Sequence, residues 1–137
     1  MQNAGYSGTP LAKKLGIEDS FKIKLVNQPE YYFSLFTDFP KQVEVLNDNN
    51  TKKNFIHYFT TKAKELENDI EALKEEIVPD GLIWISWPKK ASKVATDITE
   101  DVIRDLALGA GLVDVKVCAV DEVWSGLKLV IPVKNRK

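Results

Sequence analysis

The residues best placed to do chemistry in this 137-residue chain sit together between positions 88 and 97. Lys89, Lys90, Ser92, Lys93, Thr96 and Asp97 follow a continuously apolar run, Leu82 to Trp87, and precede a helical pattern. An apolar run of that length is the signature of a strand buried on both faces. Open α/β sheets keep their ligand crevices at the carboxyl ends of such strands. The composition of the loop predicts an anion cradle. Lys89, Lys90 and Lys93 supply charge, Ser92 and Thr96 supply hydroxyl donors, and a helix N-terminus lies close by. Asp97 stands where it can cap the following helix or meet the lysines, and Ala91 and Ala95 permit close approach. Trp124, between two late strands, offers an aromatic face to a ligand or partner, or folds back as a lid on the sheet.

Other candidates are weaker. His57 is the only histidine, so a histidine-based metal site is not expected, and its place between Ile56 and Tyr58 reads as strand packing. Cys118 is the only cysteine: it makes no intramolecular disulfide, and its alternation reads as packing rather than nucleophilic use. Glu100 and Asp101 are accounted for by the preference of carboxylates for a helix's first turn. Asp121 and Glu122 end a strand at the same rim as the lysines. No carboxylate pair has a spacing that demands acid–base work, so no catalytic residue, metal or cofactor is assigned.

The charge balance excludes some partners. Nineteen basic against twenty acidic side chains leave a net charge of −1, which makes no global field for DNA or RNA. Hydrophobic residues make up 44% and charged residues 28%, ordinary globular usage for one domain of this length. No apolar run approaches a membrane span, and the start carries no signal pattern, so a reducing cytoplasm is the expectation.

The elements that must position the loop follow from periodicity. Residues 1–9 read as an extended arm ahead of a single α/β domain over 10–137. Thr9 and Pro10 predict the start of a short helix that Gly16 stops. Alternation predicts strands at Phe21 to Asn27, Val43 to Leu46 and Phe55 to Thr60, and the aromatic-rich stretch from Gln28 to Phe39 predicts one helix between prolines. Leu66, Ile70, Leu73 and Ile77 form one apolar stripe, predicting a helix over 61–77 that Pro79-Asp80-Gly81 ends. A second helix is predicted from Glu100 to Ala110 with Thr99 as N-cap, then two antiparallel strands at Val113 to Ala119 and Leu127 to Val133. This order predicts a three-layer Rossmann-like mixed sheet, mostly parallel with a C-terminal antiparallel pair. The link over residues 47–54 is short for parallel strands; eight extended residues reach about 26 Å, enough to cross beneath the sheet under tension.

Three long segments carry a resemblance: GYSGTPLAKKLGI (Gly5 to Ile17), WPKKASKVATDITEDVI, and GLVDVKVCAVDEVWSGLKLV. Together they resemble the bacterial family known as domain of unknown function 3052, whose name implies no activity. The second half, with PDGLIWISW, a helix and a final antiparallel pair, also resembles class I methyltransferases. That likeness implies a sheet whose first strand lies between the second and third, and hence the crossing under the sheet. The chain departs from that family after its first strand. Dinucleotide and methyltransferase enzymes need glycine there for close backbone approach. Here Val26 to Ser34 (VNQPEYYFS) has none, and Tyr31, Tyr32 and Phe33 are expected to fill the space a nucleoside needs.

The resulting expectation is a non-catalytic domain binding a small anionic or phosphate-containing ligand, or an acidic partner, at loop 88–97. A degenerate methyltransferase-like enzyme, using the same rim with Asp97 or Asp121 as base, is the alternative. A third reading is an assembly module in which the arm and Trp124 join two copies as a homodimer.

Overall fold

A computed structural model describes residues 9–136. The arm expected at the start of the chain, Thr9 excepted, lies outside the described residues. Six strands form one sheet: β1 (Lys22–Val26), β2 (Glu44–Val45), β3 (Lys53–Phe59), β4 (Ile77–Pro88), β5 (Val113–Ala119) and β6 (Trp124–Val130). Their spatial order is β2-β1-β3-β4-β6-β5. The first four are mutually parallel, while β6 runs antiparallel to both β4 and β5. The expected fold class is therefore the observed one, including the first strand between the second and third.

Helices α2 (Ala63–Glu75) and α3 (Glu100–Gly109) cover one face. Leu66, Ile70 and Leu73 of α2 and Ile103 and Ala107 of α3 are buried there against Ile56, Ile83, Ile85, Leu127 and Leu129. The other face is covered by α1 (Leu11–Leu15) and the segment that follows β1; Leu15, Tyr32 and Leu35 are buried on Ile23, Phe55, Phe59 and Trp84. Alternate residues of β4 feed both cores, which is why its sequence is apolar without a break.

The crossing from β2 to β3 passes on the α2 side of β1 and is pinned by charge. Lys53 is wholly buried, and its ammonium donates to the Asp48 carbonyl at 2.5 Å and meets Glu76 Oε1 at 3.0 Å. Lys24 donates to Asn49 at 3.0 Å and to Glu76 at 2.8 Å. Burial alone raises the Glu76 carboxyl pKa, but hydrogen bonds from Lys24 and Lys53 outweigh it and leave the group below its ordinary value. A few polar side chains thus do the fixing that a helix would do in a longer crossover.

Four local expectations are corrected. The stretch from Gln28 to Phe39 is not one helix; only a 3₁₀ turn forms, at Tyr32–Leu35. Its i, i+3 spacing drives Tyr32 and Leu35 into the core together, while Phe33, Phe36 and Phe39 close on one another edge-to-face. Pro79-Asp80-Gly81 does not end a helix but bulges out within β4, where Lys53 pairs with Ile77 and Phe55 already pairs with Leu82. Helix α1 has Pro10 rather than Thr9 as N-cap, and remote Asp38 accepts from the N–H groups of Ala12 and Lys13, both at 3.1 Å. Gly16 ends it as expected, in the left-handed region at φ 86°. Finally, Trp124 is not in a turn: it opens β6, opposite Pro88.

Candidate functional site

From β1 the chain steps to one side, to β2, and then returns to the other side, to β3. The topological switch point therefore lies between the carboxyl ends of β1 and β3, where an open α/β sheet presents a crevice. Asn27 is the first residue beyond β1 and takes φ 58°. Its side-chain Nδ2 donates to the Phe59 carbonyl at 3.2 Å, so the amide bridges from one strand end to the other. Next along the rim, buried Thr60 donates its hydroxyl to Glu65 and accepts from the Lys62 N–H at 3.0 Å.

The rim is closed on the α1 side. Tyr31 stands beside the β5–β6 hairpin, close to the Asp121 carboxylate and Trp124. Burial and the Asp121 charge raise that phenol to about 12. Asp121 Oδ1 also accepts from the N–H groups of Val123 and Trp124, both at 2.8 Å. Trp124 stands edge-on to Phe59 at 5.0 Å. Asp121 and Trp124 are thus both engaged within the protein.

On the α3 side the rim is open. A cleft of about 480 Å³ is lined by Trp87, Pro88, Lys90, Lys93, Thr96 and Thr99, among others. The structure brings Lys90, Lys93 and Thr96 together here, but spends both predicted hydroxyl donors on the fold. The Ser92 hydroxyl donates to the Lys89 carbonyl at 2.7 Å and accepts from the Val94 N–H. The Thr96 hydroxyl donates to the Thr61 carbonyl at 2.7 Å and accepts from the Ile98 N–H. Asp97 caps α2 rather than α3, accepting from the Ala63 N–H at 2.7 Å. The Lys89 N–H donates to the Val123 carbonyl, tying the loop to the hairpin. At the N-terminus of α3, Thr99 accepts from the Val102 N–H and Glu100 and Asp101 fill the first turn, so carboxylates stand where an anion would bind. Asp97 and Asp121, the two carboxylates expected at the rim, each use Oδ1 to accept backbone N–H groups.

His57 is wholly buried, as expected of a packing residue, but it is wired rather than merely packed. Its Nδ1 lies 3.0 Å from the Tyr32 hydroxyl and its Nε2 2.8 Å from the Ser86 hydroxyl, and its ring stacks on Phe59 at 4.3 Å. Burial holds its pKa down to about 3, so the imidazole is neutral. Serine beside histidine is the geometry of an activated nucleophile, but both side chains are inaccessible, and here the pair joins β3, β4 and the 3₁₀ turn. Cys118 faces the α1 side, and burial pushes its thiol up, away from nucleophilic use. A larger cleft of about 530 Å³ runs along the α2 side of the sheet, between Lys24 and Val26 of β1, Tyr58 near the end of β3, and Asp69 and Leu73 of α2. Its polar groups are paired, the Tyr58 hydroxyl with Asp69 at 2.6 Å and Lys24 with Glu76.

The sequence places Tyr31 at the rim but does not single out Asn27. The signal for Asn27 was present: asparagine directly after an alternating strand is a residue that tolerates the left-handed turn.

No family model and no curated protein matches this sequence. Solved structures do resemble the fold. One described as a type 11 methyltransferase from Sulfolobus solfataricus aligns with a TM-score of 0.64 at 13% identity, covering 93% of this chain and 92% of that one. Magnesium protoporphyrin IX methyltransferase from Synechocystis PCC 6803, with bound SAH, gives 0.60 at 11% identity over 88% and 78%. A SAM-dependent methyltransferase from Aquifex aeolicus gives 0.59 at 17% identity over 88% and 87%. The chain has the Rossmann-like sheet of class I methyltransferases. This finding corrects the expectation of a non-catalytic anion-binding domain. The likeness is one of fold, and the hydroxyls of the expected cradle are committed to backbone.

An S-adenosyl donor meets an obstructed switch point. The turn after β1 lacks glycine, and the Asn27 amide spans the space. Asp48, which follows β2, is exposed and paired with the Lys53 ammonium at 3.2 Å. Tyr32, expected to crowd the crevice, is instead in the core, and Tyr31 lies on Asp121. Among the described residues no buried side-chain nitrogen or oxygen lacks a partner.

No helix among the described residues is long and apolar enough to cross a membrane.

Proposed function

We propose that this chain is a degenerate methyltransferase-like enzyme whose working surface is the carboxyl rim of β1, β3 and β4. The observation that supports this reading is the strand order β2-β1-β3-β4-β6-β5, with its switch point between β1 and β3 and its antiparallel final pair. The cleft on the α3 side of the rim is the place for an acceptor. Trp87 and Pro88 supply a flat apolar wall, and Lys90, Lys93, Thr96 and Thr99 supply a polar edge. Lys89, Ser92 and Asp97 shape that loop from beneath, and Tyr31, Asp121 and Trp124 seal the opposite side. The long segments at 5–17, 87–103 and 111–130 support membership of the bacterial family of unknown function that they resemble; one domain over 10–137 behind an arm, and work in the cytoplasm, belong to the same proposal.

Calorimetric titration with S-adenosylmethionine and S-adenosylhomocysteine tests the reading. With the crevice bridged, the expected dissociation constant is about 0.1–1 mM, or about −5.5 to −4 kcal/mol. No heat and no rise in melting temperature with either compound at about 5 mM would overturn it.

A further inference from the structure

We infer that the side chain of Asn27 sets how tightly the switch-point crevice holds the adenosine half of an S-adenosyl compound, weakening its binding by obstruction; this rests on the methyltransferase-like reading. Three observations converge on this one residue. Asn27 lies directly beyond β1, at the edge of the gap where the strand order reverses. Its φ of 58° is a left-handed conformation that glycine adopts without cost and asparagine tolerates. Its amide crosses that gap to the Phe59 carbonyl at 3.2 Å, the last residue of β3.

The backbone is therefore already turned as a glycine would turn it, and only the side chain differs. Glycine at such a turn serves to let the main chain come close to a bound nucleotide. Here the carboxamide stands in that space, with its donor used on the strand end opposite. Residues further along the segment do not share the role, since Tyr32 is directed into the core and Tyr31 to Asp121.

Asn27→Gly tests the inference, because glycine keeps the turn and removes the bridge. The readout is binding of S-adenosylhomocysteine by calorimetry, with melting curves establishing that each variant folds. Asn27→Ser, too short to span the gap, carries the same expectation should the glycine variant fail to fold. Asn27→Asp keeps the size of the side chain while losing the donor. The expected result is binding at least about tenfold tighter than wild type for Asn27→Gly, and no gain for Asn27→Asp. Measurable wild-type binding that glycine and serine leave unchanged would overturn the inference while leaving the proposed function standing. An equal gain in Asn27→Asp would also overturn it, because volume would then not be the bar. Absence of binding in wild type and every folded variant would bring down both.

Discussion

Trp84 lies wholly buried in the middle of β4, and its indole N–H donates to the Leu15 carbonyl at 2.8 Å. That bond ties α1 to the sheet across a distance no local pattern reports. Gly126 on β6 makes the seat possible: a Cβ there would come within 3.0 Å of the Trp84 ring and 3.4 Å of the Ser86 hydroxyl. In the sequence Gly126 reads as part of a turn, whereas its role is to leave room for an indole. Trp84→Phe should cost about 2–4 kcal/mol, through a cavity and an unpaired buried carbonyl together. Urea unfolding measures it, and a loss under about 1 kcal/mol would show that the site collapses and water reaches Leu15. The predicted cradle residues teach the same lesson. Lys89, Ser92 and Thr96 are where the sequence places them, but Ser92 and Thr96 direct their hydroxyls to backbone.

Among the elements, α2 and α3 were legible because an apolar stripe at helical spacing is a local property; Leu66, Ile70 and Leu73 are all buried. The cap of α3 was legible for the same reason, since Thr99 and Val102 are three residues apart. The cap of α2 was not, because Asp97 arrives from 34 residues away. Asp97→Ala should lower stability by about 1 kcal/mol and speed amide exchange in the first turn of α2, leaving α3 unaffected. Equal fraying of both helices in exchange measurements would contradict this division of labour. The failed helix over 28–39 has a different cause. Proline boundaries and aromatic content were read correctly, but tertiary demand for Tyr32 beside His57 outweighed helical spacing.

At the scale of the molecule, the Tyr32–His57–Ser86 network links the sheet's central strands to the layer above them. Its histidine has a folded pKa of about 3 against 6.5 for the free group. Between those values the unfolded chain binds one proton more than the folded one, so stability rises with pH across the window and falls as pH drops. Glu76, held below its ordinary value of 4.5, adds a loss of the same sign only as pH falls further. From pH 7 to pH 4.5 the expected loss is therefore mainly that of His57, about 2–3 kcal/mol. Denaturant unfolding across that range measures it, and His57→Gln should flatten the slope. An unchanged slope in that variant would assign the loss elsewhere.

By itself the sequence determined the strands, both long helices, the mixed sheet and the rim where a site would lie. Each of these rests on periodicity or on neighbours a few residues apart. Only the tertiary structure decided how the rim is used. Asn27, Asp38, Thr96 and Asp97 all find their partners 25 to 35 residues away, at Phe59, α1, Thr61 and Ala63. A polar side chain is spent wherever folding brings an unpaired backbone group within reach, and that meeting is set by the packing of layers rather than by any spacing along the chain.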